Sequence, residues 1–276
     1  MKNVYTASTR IACCYTVWAV FMLSGIGTAG AVGPQAAACP PLPAPEAATR
    51  NVAIVVDESA FRPAAFVDQL RVRVGDIADY GVRVVIYRFA GENPLPAIVD
   101  DVMLPQLPGD ESLSNWEPVT LVRAKQKCAK QALVAGRERI QAAVASVARN
   151  LHDDANGTSP ILAALRQVSQ AFAGRTLRII LLSDGIEHSS VASFYASRVA
   201  GRDPADVLNS AEASGFLGAT QHATLQIAGL ALQAPEQAAA RPGANLSWLT
   251  RFWSLYGKRT GMTVTEVSSS APVSVR

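Results

Sequence analysis

The chain predicts an α/β domain, a doubly wound and mainly parallel six-stranded sheet with helices on both faces. Three observations carry that prediction. Leu177 and Ile179 to Leu182 make a short, almost unbroken apolar run, and Val52 to Val56 make another, the pattern of strands covered on both faces inside a parallel sheet. From Asn51 to Val267 such runs alternate with stretches whose apolar residues recur at helical spacing. With 276 residues, 49% hydrophobic and 17% charged, the chain is long and apolar enough for one large core.

Residues 1–31 stand apart from the domain. Lys2 and Arg10 flank the beginning of an uncharged stretch with an apolar centre at Val17 to Leu23, and Gly27, Ala29 and Ala31 follow as small residues. That order is a secretory signal cleaved after Ala31, or else an uncleaved anchor, since Ile11 to Ala31 is long enough to span a bilayer. Either reading exports the chain to a periplasmic or extracellular space, with the membrane met only through this segment. Gly25, Gly27 and Gly30 spell a dinucleotide-binding fingerprint, but AVGPQAAACPPLPAP after them cannot form the helix the fingerprint needs. Without Lys2 and Arg10 the basic count falls from 25 to 23 against 22 acids, and the arginines are scattered, so no nucleic-acid surface is expected. Of four cysteines, Cys13 and Cys14 lie in the signal; Cys39 and Cys128 remain as a pair for an oxidising compartment, and a disulfide between them is expected.

Residues 32–50 read as a proline- and alanine-rich linker, 51–268 as the domain and 269–276 as a flexible tail. After the first strand, Phe66, Leu70 and Val74 fall at helical spacing behind Pro63. Gly81 introduces VRVVIYRF, a strand whose Arg83 and Arg88 place it towards an edge. Prolines punctuate Ala90 to Glu117; a short edge strand is expected at Ile98 to Leu104, and Asp100, Asp101, Asp110 and Glu111 read as solvated loop charges. Pro118 to Leu151 reads as a long helix with a break near Gly136. Ile161, Leu162, Leu165, Val168 and Phe172 mark an amphipathic helix. Asp203 caps and Pro204 starts another, ending near Phe216. Ala223 to Leu232 is a strand, Asn245 to Lys258 a helix with an aromatic core stripe, and Met262 to Val267 the last strand.

Two of these strands end in carboxylates, Asp57 and the Ser183-Asp184-Gly185 triplet. The Ser183-Asp184-Gly185 ending alone is ordinary turn chemistry. Together on one sheet edge, however, two carboxylates repel and resist ionisation unless a cation or hydrogen-bond donors lie between them. The loop Gly157-Thr158-Ser159-Pro160 offers donors.

On these three loops the chain resembles a von Willebrand factor A domain, over roughly residues 50 to 267. The resemblance implies one antiparallel edge strand and a metal-ion-dependent adhesion site built from Asp-x-Ser-x-Ser, a middle-loop hydroxyl and a strand-ending Asp. Carried over, the site would be Asp57, Ser59, Thr158 or Ser159, and Asp184, with Phe61 standing where the pattern has its last serine. It implies a Mg2+ ion bridging to an acidic group on a protein partner. Glu58, Phe61, Gly185, Glu187 and His188 would line the rim.

The rival class is a hydrolase, with Ser59, Ser159 or Ser183 as nucleophile and His188 or His152 as base. No G-x-S-x-G elbow occurs, and the three histidines fall in no recognisable order, so a non-enzymatic binding module is the expectation. A metal-free structural component of a cell-envelope transfer or secretion assembly is the alternative.

Overall fold

A computed structural model describes residues 39–42, 48, 50–59, 77–91, 95–108, 118–149, 158–190, 192–194, 199, 202–218, 222–229 and 246–268. The expected signal or anchor, the helix after Pro63, the acids Asp110 and Glu111, and the tail lie outside them.

Six strands form one sheet: β1 (Arg50–Asp57), β2 (Val82–Phe89), β3 (Ala97–Met103), β4 (Leu177–Leu182), β5 (Ala223–Ala228) and β6 (Thr263–Ser268). Their order is β3-β2-β1-β4-β5-β6, and only β3 runs antiparallel, against β2 at the edge. This is the doubly wound order in which the chain reverses its direction of travel between β1 and β4, the place where such sheets leave a crevice at the carboxyl ends of their strands. β1 and β4 pair in parallel from Asn51↔Leu177 to Val56↔Leu182.

Alternation along each strand divides the core in two. Ala53 and Val55 of β1 face one side with Ile179 and Leu181 of β4. That side is covered by α2 (Ile161–Ala171), α3 (Pro204–Ala213) and α4 (Leu246–Thr260). Val52, Ile54 and Val56 face the other side, where Leu133, Ile140 and Val144 of α1 (Val119–Arg149) pack. Helices therefore cover both faces. Asp57 continues the parity of Ala53 and Val55, which directs it to the α2 side of the sheet.

Two expectations need correction. The long helix is not broken at Gly136: α1 is continuous, and a Cβ at 136 would stand 2.4 Å from Leu104 Cδ2. The glycine admits the chain leaving β3 close against the helix, and the tertiary contact overrides its poor helix propensity. Asp100 and Asp101 are likewise not loop charges but lie within β3. Asp101 pairs with Arg83 across the strand and Asp100 with Arg139 of α1. The expected disulfide is present, Cys39 to Cys128 with Cα atoms 5.8 Å apart, tying the segment ahead of β1 to α1.

Candidate functional site

The carboxyl ends of β1 and β4 meet in a cluster of hydroxyls around one carboxylate. Asp57 is fully buried and accepts four hydrogen bonds. Its Oδ1 takes the Ser59 hydroxyl at 2.7 Å and the Ser59 N–H at 3.0 Å. Its Oδ2 takes the Ser159 hydroxyl at 2.6 Å and the Ser183 hydroxyl at 2.7 Å. Burial pushes the Asp57 pKa up, and the serine hydrogen bonds pull against that rise without cancelling it.

Each donor arrives by a different local device. Ser59 closes an Asp-x-Ser turn directly after β1. Ser183 follows Leu182, the residue paired with Val56, so it sits level with Asp57. Ser159 comes from the lead-in to α2, which is zipped to the loop after β4: Ser159 N–H donates to the His188 carbonyl at 2.7 Å, and His188 N–H returns to the Ser159 carbonyl at 2.9 Å.

The loop after β4 folds on itself. Asp184 Oδ1 accepts the Ile186 N–H at 3.0 Å, and the Ser183 hydroxyl oxygen accepts the Gly185 N–H at 3.1 Å. Gly185 has φ 73°, the left-handed region open to glycine, and its carbonyl accepts the buried Trp253 Nε1–H at 3.1 Å. This last bond locks α4 to the site.

Of the expected site residues, Asp57, Ser59 and Ser159 share direct hydrogen bonds, and Asp184 is adjacent through Ser183. Thr158 precedes Ser159, and its Oγ1 is buried with no hydrogen-bond partner among the described residues. Phe61 lies outside the described residues. On the rim, Glu58 is partly buried and pairs with Arg88 at 3.3 Å. His188 is partly buried, with Nδ1 2.8 Å from Ser193 Oγ.

Glu187 is not a rim residue. It is 1% exposed, and its Oε2 accepts the Leu162 N–H at 2.9 Å. Pro160 precedes α2 with no side-chain cap of its own, so Glu187 satisfies an orphan donor at the helix start from 25 residues away in sequence. Burial raises its pKa to about 8. Ser183 is the other residue the sequence reading underuses; the signal for it was its equal offset with Asp57 beyond two paired apolar runs.

Among the described residues, no three His, Cys, Asp or Glu side chains cluster in a way that would hold a metal. The donors here are different: serine hydroxyls that keep lone pairs after donating to Asp57, the unpartnered Thr158 hydroxyl and the Asp184 carboxylate. An all-oxygen set of this kind fits a hard cation such as Mg2+.

Fold and cluster together define a doubly wound α/β domain with a serine-lined carboxylate at its topological switch point. No protein-family profile and no curated protein sequence matches the chain significantly. Solved structures do. The chain is similar to the ArnB paralog VWA2 from Sulfolobus acidocaldarius at 12% identity and TM-score 0.31, over 66% of this chain and 34% of that one. It is similar to an aerotolerance-related membrane protein from Bacteroides fragilis at 12% identity and TM-score 0.37, over 79% and 92%. Against BatB from Bacteroides thetaiotaomicron the identity is 16% and the TM-score 0.37, over 80% and 91%. The chain spans about a third of the length of the Sulfolobus protein. Identities and scores this low leave the site's own geometry as the ground for a functional reading.

Proposed function

We propose that the chain is an exported, non-enzymatic protein-binding module whose partner docks at the carboxyl edge of β1 and β4, with Mg2+ joining an acidic group of the partner to the site. Ser59, Ser159, Thr158 and Asp184 would hold the ion. The observation that carries the reading is the buried Thr158 hydroxyl, without a hydrogen-bond partner among the described residues, in the residue next to Ser159, whose own hydroxyl Asp57 orients. A buried hydroxyl without a partner costs about 1–3 kcal/mol, and a cation would supply what it lacks.

The same hydrogen bonds support binding over catalysis. The rival reading needs a histidine base against the nucleophilic serine, whereas the Ser59, Ser159 and Ser183 hydroxyls donate to Asp57 and His188 Nδ1 lies 2.8 Å from Ser193 Oγ. The Cys39–Cys128 disulfide supports an oxidising compartment. One observation favours the metal-free scaffold: the two Asp57 oxygens already take four hydrogen bonds, so the loops cohere without an ion.

Thermal melts separate the two. For the metal-bridged module, about 10 mM Mg2+ raises Tm by a few degrees and Asp184→Ala abolishes the rise. An unchanged Tm, with partner capture from the native envelope insensitive to chelator, overturns the metal reading and leaves the scaffold.

A further inference from the structure

A cleft of about 490 Å³ opens at the amino end of the sheet, between the last turns of α2 and the starts of β4 and β5. β4 runs six residues from Leu177 to Leu182. At about 3.3 Å per residue the cleft and the Asp57 cluster are therefore roughly 15–20 Å apart. They are separate places.

Arg166, Gln170, Arg175 and His222 line the cleft over an apolar floor that includes Phe172 and Leu177, and none of the described lining residues is acidic. Arg166 Nη1 donates to the Gly215 carbonyl, which fixes the side chain without neutralising it. Arg175 is exposed, and the ion pairs among the described residues use other arginines. His222 adds a second kind of observation. Its φ is 65°, a left-handed backbone that side chains adopt at a cost and that clusters where a side chain has a task. Its carbonyl accepts the Leu177 N–H at 3.3 Å, so the bend ties the start of β4 to the turn before β5 at the cleft.

We propose that this cleft binds a small organic anion, with a phosphate or carboxylate head against Arg166, Arg175 and His222 and an apolar body on Phe172 and Leu177. Guanidinium forks match both heads, and the volume lies in the usual range for small-molecule sites. The inference stands independently of the proposed metal site.

The test is calorimetric titration of the full chain with phenyl phosphate and with benzoate, and with benzamide as the uncharged control. Saturable binding of at least one anion is expected, and the tighter of the two identifies the head group. Arg175→Gln, at an exposed position where folding is not at stake, should weaken that binding about tenfold, the loss of one charged contact. His222→Gly should weaken it too while leaving Tm unchanged or higher, because glycine relieves the backbone; a histidine serving the fold alone would lower Tm and spare affinity. Three results overturn the proposal: benzamide binding as well as the anions, affinity unchanged in both Arg175→Gln and the Arg166→Gln/Arg175→Gln double variant, or no saturation by either anion up to about 20 mM.

Discussion

Replacing Glu187 with Gln isolates one proton's contribution to the fold. Burial, with the Asp57 charge adding to it, lifts the Glu187 pKa from 4.5 to about 8, against hydrogen bonds from Ser189 and from the Leu162 and Ile161 N–H groups. The unfolded chain releases that proton near the ordinary value. Between about pH 4.5 and 8 the folded state therefore holds a proton that the unfolded state lacks, and stability must fall as pH rises. The contribution is complete below pH 4.5 and gone once pH passes the folded value near 8. One proton changes the folding constant about tenfold per pH unit, which amounts to about 5 kcal/mol over the window. Gln does not titrate, fits the same volume and keeps a carbonyl oxygen for the Leu162 N–H. Urea denaturation of both proteins at about pH 5, 6 and 7 cancels every other group in the difference. The native chain should lose ground to Glu187→Gln by about tenfold in folding constant at each step. Parallel profiles, or an advantage for the native chain that grows with pH, would refute a neutral buried Glu187.

Three further outcomes follow from packing and bonding. Ser183→Ala removes a 2.7 Å donor to a buried carboxylate and the acceptor for the Gly185 N–H; about 2–3 kcal/mol should be lost in chemical denaturation, and a loss under about 0.5 kcal/mol contradicts the bonding scheme. Gly257→Ala places a methyl 2.6 Å from Val264 Cγ2 and 2.8 Å from the Met262 carbonyl. Overpacking of this kind costs about 1–3 kcal/mol and should outweigh the helix-propensity gain of alanine, so a higher Tm would refute the close contact of α4 with β6. Reducing the Cys39–Cys128 bridge, which closes a loop of sequence separation 89, should lower stability by about 4 kcal/mol; a urea midpoint indifferent to reductant would show that the bridge constrains nothing.

Periodicity carried most of the fold. Val82 to Phe89 reads as a strand from its own residues and is one, and Asp203 with Pro204 marks the start of α3, where the Asp203 side chain accepts the Ala205 N–H. What stayed hidden depends on partners distant in the chain. Gly136 reads as a helix breaker until Leu104 is known to press on it. Asp100 and Asp101 read as loop residues because their partners, Arg139 and Arg83, are chosen by strand pairing and helix docking. Glu187 reads as a rim acid, since nothing in its neighbours announces the start of α2 above it. In the site, Asp57 was legible as the end of an apolar strand and Ser59 through the Asp-x-Ser pattern of the resemblance. Convergence of Ser159 and Ser183 on the same carboxylate required the register of β1 on β4 and the Ser159–His188 zip.

That convergence divides the labour between the two aspartates. An ionised carboxylate offers about four acceptor positions, and Asp57 has four donors on them. Its part is thus to orient hydroxyls, each of which keeps its own lone pairs to offer. In the proposed metal-bridged module the cation would be met by the serine oxygens, Thr158 and Asp184, and not by the buried acid beneath them. Asp57 and Asp184 should consequently fail in different ways. Loss of Asp57 releases three hydroxyls at once and disturbs the loops whether or not a ligand is present, whereas loss of Asp184 leaves those hydroxyls in place and removes a charge that matters when something binds. For the proposed ligand, hydroxyls already held by Asp57 would lower the ordering cost of binding.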